Sequence, residues 1–142
     1  AYSNFERLIY SFKVANILSF IEGLPLAFNT IIGSDGNGLS QGQKQRILIA
    51  RAVYKEPQYL LFDEATNALD ANNEKAIMEN LNEFFKGRTV VVVAHRLSTV
   101  KNADNIVVLH QGVVVECGSH AELSQQRGHY YSLVKNQLDL GN

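Results

Sequence analysis

The 142-residue chain carries 46% hydrophobic and 19% charged residues, the balance of an ordinary globular domain long enough to bury one core. Thirteen basic against fourteen acidic residues leave a net charge of −1, which argues against a broad nucleic-acid footprint. No apolar run reaches the roughly 18 residues of a membrane span, and a single cysteine, Cys117, excludes a disulfide within the chain and suits a reducing compartment. The chain opens at Ala1 with neither methionine nor signal-peptide pattern, and it reads as a fragment or processed product.

Along the chain, Phe5, Leu8, Ile9 and Phe12 fall on one face at helical spacing, and Ile17, Leu18 and Ile21 continue it. Asn16 is placed to cap the second helix, and Gly23-Leu24-Pro25 to end it. Residues 29–38 hold three glycines among small polar residues and read as a loop. A helix comes next, closed by Pro57 after Glu56; Lys44, Arg51 and Lys55 are expected on one side, Leu48 and Ala52 on another. Tyr59–Phe62 and Thr89–Ala94 are apolar runs without alternation, the pattern of strands covered on both faces. Between them Ile77, Leu81, Phe84 and Phe85 mark a helix ending near Gly87, so the order is a βαβ unit. Gln111-Gly112 is a hairpin turn between two further strands. Ser119 with Glu122 is a capping box, and Tyr130, Leu133, Val134 and Leu138 outline a last amphipathic helix.

Four places carry chemistry. In GLSQGQKQRILIARA, residues 38–52, Ser40 is an N-cap with Gln43 three residues on, a second capping box. The first turn of a helix leaves backbone N–H groups without partners and adds partial positive charge, so this tip suits an anion. Gly42 lets a ligand approach the backbone. Taken alone, the stretch is equally a well-capped surface helix. In YLLFDE a strand ends in Asp63 and Glu64, at the carboxyl edge where open α/β sheets bind ligands. One carboxylate suits Mg²⁺ held through its waters, the other an attacking water, and an acidic turn is the plain alternative. His95 comes directly after the valine strand and is expected at the same edge, within reach of a terminal phosphate. Asp70, in NALD, on spacing alone simply caps the next helix.

Together these residues resemble the ATP-binding cassette family, specifically the nucleotide-binding domain of an exporter. LSQGQKQRILIARA is similar to the signature motif, with Gln41 where glycine is more usual. YLLFDE resembles the Walker B strand, and NALD the D-loop with Asn67 in place of serine. AHRLSTVKNADNIVVLHQGVVVECGSHAEL resembles the switch-histidine segment together with the stretch beyond it. GSDGNG resembles the exporter loop that contacts the membrane domain. The order of the motifs is the family's, over nearly the whole chain.

The resemblance implies an α/β fold: an incomplete P-loop NTPase sheet with an amino-terminal helical subdomain, residues 1–56 forming the latter and 57–142 the α/β portion. It implies head-to-tail pairing with a second ATPase domain, whose Walker A loop holds the ATP that this signature helix faces. Ser40, Gly42 and Gln43 would then contact the γ-phosphate in trans, with hydrogen bonding at Gln41 altered by its side chain. Asp63 would help hold Mg²⁺, Glu64 would activate water, His95 would contact the γ-phosphate and Asp70 would communicate across the dimer. A G-x-x-x-x-G-K-[ST] loop does not occur in these 142 residues, so Walker A is expected before Ala1. In the family its strand lies between the switch-histidine strand and NIVVL. Those two strands are therefore expected to rearrange, to pair with another copy or to gain support from elsewhere.

The expected function is that of an exporter ATPase at the cytoplasmic face of the membrane, coupled to a transmembrane domain. The wording of SQGQKQRILIARAVY and DEATNALDANNE is similar to peptide or bacteriocin exporters. The chain by itself is expected to be inactive. The rival readings are a non-catalytic interaction fragment and an ATP-binding cassette protein of DNA maintenance. The second of these needs coiled-coil heptads and a basic surface that the sequence does not display.

Overall fold

The structure, a computed structural model, describes residues 3–33, 36, 38–63, 69–93 and 100–139. The chain divides into two compact units, residues 1–91 and 92–142.

In the first unit, helix α1 (Asn4–Val14) starts at Ser3, whose hydroxyl accepts from the Glu6 N–H in a capping box. Its apolar side faces Phe28, which stands edge-on to Phe5 at 5.7 Å and stacks on Phe12 at 6.0 Å. Phe28 sits in a single 3-10 turn, Ala27–Asn29, that comes after the short helix α2 (Leu18–Glu22). Asn16 does not cap α2, contrary to expectation. Ile17 holds the cap position without a side-chain bond, while Asn16 takes a left-handed conformation (φ 51°) and its amide bonds to Asn73. Asparagine tolerates that region better than most residues, and here a distant partner holds its side chain.

Helix α3 (Gln41–Tyr54) buries Ile49, Ala50 and Val53 and packs against α1. The expected separation of cationic from apolar side chains on its outer surface is not observed. Leu48, Arg51, Ala52 and Lys55 line one groove with Tyr59 and Leu61, and Leu48 is 61% exposed. Positions three and four apart share a helix face whatever their polarity.

Strand β1 (Tyr59–Asp63), helix α4 (Ala71–Phe85) and strand β2 (Thr89–Val93) come next. The Thr89 N–H donates to the Gln58 carbonyl at 3.0 Å, so the two strands start side by side and run parallel. Leu60 and Phe62 of β1 join Ile77, Leu81 and Phe84 of α4 in a core shared with Val14, Ile17, Ile21 and the buried residues of α3. Full cover on both faces, the sequence expectation, is corrected for both strands. In β1 buried and exposed residues alternate, with Tyr59 80% and Leu61 73% exposed, and Val91, Val92 and Val93 of β2 are also exposed. An apolar run records what a strand can bury; the described residues supply cover for only one face of β1.

In the second unit, strands β3 (Ile106–His110) and β4 (Val113–Gly118) form an antiparallel hairpin with a register shift at Val108/Leu109. Gln111 (φ 50°) and Gly112 (φ 77°) both take the positive φ that a tight two-residue turn demands. Ile106 and Val108 pack on Leu123 of helix α5 (His120–Gln126) and Tyr130 of helix α6 (His129–Asp139). The Ser119/Glu122 capping box forms as expected. Helix α6 is capped from outside itself: the Glu116 carboxylate accepts from the His129 and Tyr130 N–H groups at 2.8 and 2.7 Å. The amphipathic reading of α6 holds for buried Tyr130 and partly buried Val134, whereas Leu133 is exposed; the side chain of Leu138 lies outside those described.

Among the described residues the strands lie in two pairs, β1–β2 and β3–β4.

Candidate functional site

Ser40 is the N-cap of α3 and is exposed. Its hydroxyl oxygen accepts from the Gln43 N–H at 3.2 Å, and the Gln43 side chain accepts from the Ser40 N–H at 2.9 Å. A hydroxyl that accepts through a lone pair still has a proton to donate, so Ser40 can bond an anion at the tip without breaking its cap. Gln41 is exposed and Gly42 half-buried, as access to the tip requires. Lys44 lays its stem against Gly36, so the helix end and the glycine loop before it are in contact.

Asp63 ends β1 with its side chain exposed, and among the described residues it has neither hydrogen bond nor ion pair. An ionised carboxylate offers only acceptor positions, so this exposed group suits a hydrated divalent cation. Among the described residues no three His, Cys, Asp or Glu side chains converge as a closed metal cage. Glu64, His95 and Asn67 lie outside the described residues.

Asp70 caps α4, as spacing alone predicted: its carboxylate accepts from the Asn73 N–H at 3.0 Å and from the Asn73 amide at 2.5 Å. These two bonds, the side-chain one foremost, hold its carboxyl below the usual range. Hydrogen bonds, not burial, cause the shift, since Asp70 is exposed.

Sequence reasoning missed Arg46 and Asn73, and it gave Asn16 a different role. The Arg46 guanidinium donates to the Gly42 carbonyl (3.4 Å), the Asn16 carbonyl (2.8 Å) and Asn73 Oδ1 (3.3 Å). Asn16 also donates its amide to Asn73 Oδ1 at 3.0 Å. Apart from the Gly42 bond these contacts join residues 27 to 57 positions apart, so no local pattern carried them. The helix tip that holds Ser40 and the cap formed by Asp70 thus share one polar network.

A family model described as ABC transporter matches residues 6–67, spanning the tip of α3 and the end of β1. The chain is 54% identical over 132 residues to leptomycin B resistance protein pmd1 of Schizosaccharomyces pombe, covering 93% of this chain and 10% of that protein. To the leukotoxin translocation ATP-binding protein LktB of Mannheimia haemolytica it is 52% identical over 135 residues, 95% of this chain and 19% of that one. The solved structure of a bacterial Atm1-family ABC exporter with ATP bound superposes with a TM-score of 0.87 at 41% identity, over 94% of this chain and 24% of the exporter. Over nearly its whole length the chain is similar to ABC transporters. It corresponds to part of an exporter's nucleotide-binding domain and spans a tenth to a fifth of the relatives it matches. The chain has the expected α/β fold, and no helix among its described residues is long and apolar enough to cross a membrane.

Proposed function

We propose that this chain supplies the signature-helix half of a shared ATP site in an ABC exporter, together with the Walker B and D-loop residues of its own domain. The observation that carries this reading is the exposed tip of α3, where Ser40 keeps its cap and can still donate to an anion. Ser40, Gly42 and Gln43 face the γ-phosphate of ATP held on the Walker A loop of a second ATPase domain, paired head to tail. Backbone N–H groups and the helix dipole favour the charge that grows there as the phosphoryl group transfers. Gln41 lies beside them and tunes the hydrogen bonding.

Asp63 is the residue that would hold Mg²⁺, which when bound neutralises phosphate charge. Glu64 orients and deprotonates water, His95 contacts the γ-phosphate, and Asp70 communicates across the dimer. Closure of the pair drives a transmembrane domain from the cytoplasmic face. LktB is named for leukotoxin translocation, which supports a peptide cargo; pmd1, named for leptomycin B resistance, points to small molecules. We take the peptide reading, on the wording around α3 and α4. Alone, the chain does not hydrolyse ATP.

In the intact exporter, Glu64→Gln should nearly abolish turnover while ATP binding persists, because the amide keeps the shape but cannot act as a base. Ser40→Arg should block nucleotide-dependent pairing by filling the partner's phosphate site. Normal turnover in both variants, or turnover by the isolated chain, contradicts the assignment.

A further inference from the structure

Between the tip of α3 and the start of α4 lies a polar chain that neither helix needs for its own cap. Arg46 bonds the Gly42 carbonyl at the tip and Asn73 Oδ1 at the start of α4, while Asn73 turns its amide nitrogen to Asp70. The orientation of the Asn73 amide is dictated chemically. A guanidinium only donates and a carboxylate only accepts, so the oxygen must face Arg46 and the NH₂ must face Asp70. The Asn16 carbonyl, carried on a left-handed residue, takes the same Arg46 nitrogen at 2.8 Å and fixes it from the α1 side. Both Arg46 and Asn73 are half-buried, so these bonds are less exposed to water than surface pairs.

We infer that Arg46 and Asn73 are positioning residues that set the phosphate-facing tip of α3 against Asp70, so that contact at one end of the network is felt at the other. The inference rests on the proposed trans-phosphate role of Ser40 and deepens it. Asparagine suits the junction because its amide joins a donor-only to an acceptor-only group without adding charge. Leucine at 73 breaks the link between them: Arg46 keeps only the Gly42 and Asn16 carbonyls, and Asp70 only the backbone N–H of residue 73. Lysine at 46 has a point charge in place of a planar fork and cannot span the Gly42, Asn16 and Asn73 oxygens together.

Asn80 provides the comparison. Its amide also ties α4 to α1, through the Lys13 and Val14 carbonyls at 3.3 Å, but among the described residues it has no link to α3. The test uses the intact exporter and measures ATP turnover, KM for ATP and Tm. Asn73→Leu should lower kcat about tenfold, equal to about 1.4 kcal/mol, with KM changed by less than about twofold. Asn80→Ala should lower Tm while kcat stays at the wild-type level. Arg46→Lys, the milder change, should reproduce the kcat loss, and the double variant should be no worse than either single one. Equal losses of Tm for Asn73→Leu and Asn80→Ala with kcat unchanged in both, or additive kcat losses for Arg46→Lys and Asn73→Leu, overturn the inference. If Ser40→Arg abolishes turnover while Asn73→Leu is silent, only this inference falls. If Ser40→Arg is itself silent, the site reading falls and takes it along.

Discussion

At the scale of single residues, the site depends on side chains that do two things at once. Ser40 caps its helix and keeps a proton to give; Asp70 caps the next helix and anchors Asn73. The second pairing has a pH signature. The carboxyl of Asp70 lies below the ordinary 3.8 in the folded chain because Asn73 donates to its ionised form. The unfolded chain therefore binds the proton first as pH falls. The stabilisation is complete above about pH 4 and is lost as pH drops through the lowered folded value. Glu122, held down by the Ser119 backbone and hydroxyl, acts in the same direction. Asp70→Asn should flatten the acid limb of Tm against pH between about pH 2 and pH 5. An unchanged acid limb in that variant would show that the charge of Asp70 contributes nothing to folding.

At the scale of elements, helix starts recur as the places where this chain fixes its geometry. Helices α1, α3 and α5 each carry their own capping box, and all three boxes are written locally as a serine with Glu or Gln three residues later. Helix α6 is capped differently, by Glu116 from strand β4. That carboxylate reaches the helix only because residue 128 is glycine: a Cβ there would run into Glu116 Oε1. Gly128→Ala should therefore displace the cap and destabilise the carboxyl-terminal unit by about 0.5–2 kcal/mol, the cost of losing a helix cap. Glu116→Gln, which retains an acceptor, should cost less. Urea denaturation of both variants checks the order, and a harmless Gly128→Ala would remove Glu116 as the cap.

At the scale of the whole chain, the exposed apolar strands dominate. Tyr59 and Leu61 of β1, Val91, Val92 and Val93 of β2, and Val107 and Leu109 of the hairpin present apolar side chains to solvent. Unpaired strand edges and open apolar faces of this kind favour association. The 142-residue chain should accordingly sediment as concentration-dependent dimers or larger species, and Leu61→Lys combined with Leu109→Lys should shift it toward monomer. A wild-type chain that stays monomeric at every concentration would contradict this.

The sequence by itself determined what is local and periodic. Capping boxes at Ser40 and Ser119, the Gln111-Gly112 turn, the cap at Asp70 and the core face of α4 all lie within a few residues of their partners, and each was legible. The order of the motifs likewise pointed to the family before any coordinates. Tertiary structure alone decided the rest. Asn16 left its expected cap because Asn73 and Arg46, far away in sequence, offered it better partners. Strands read as doubly buried are half open, because hydrophobic content measures a capacity for burial, whereas burial itself needs a neighbour. The bond that joins Arg46 of α3 to Asn73 of α4 forms only once those helices are packed, since it is set by three-dimensional distance and not by any repeat along the chain.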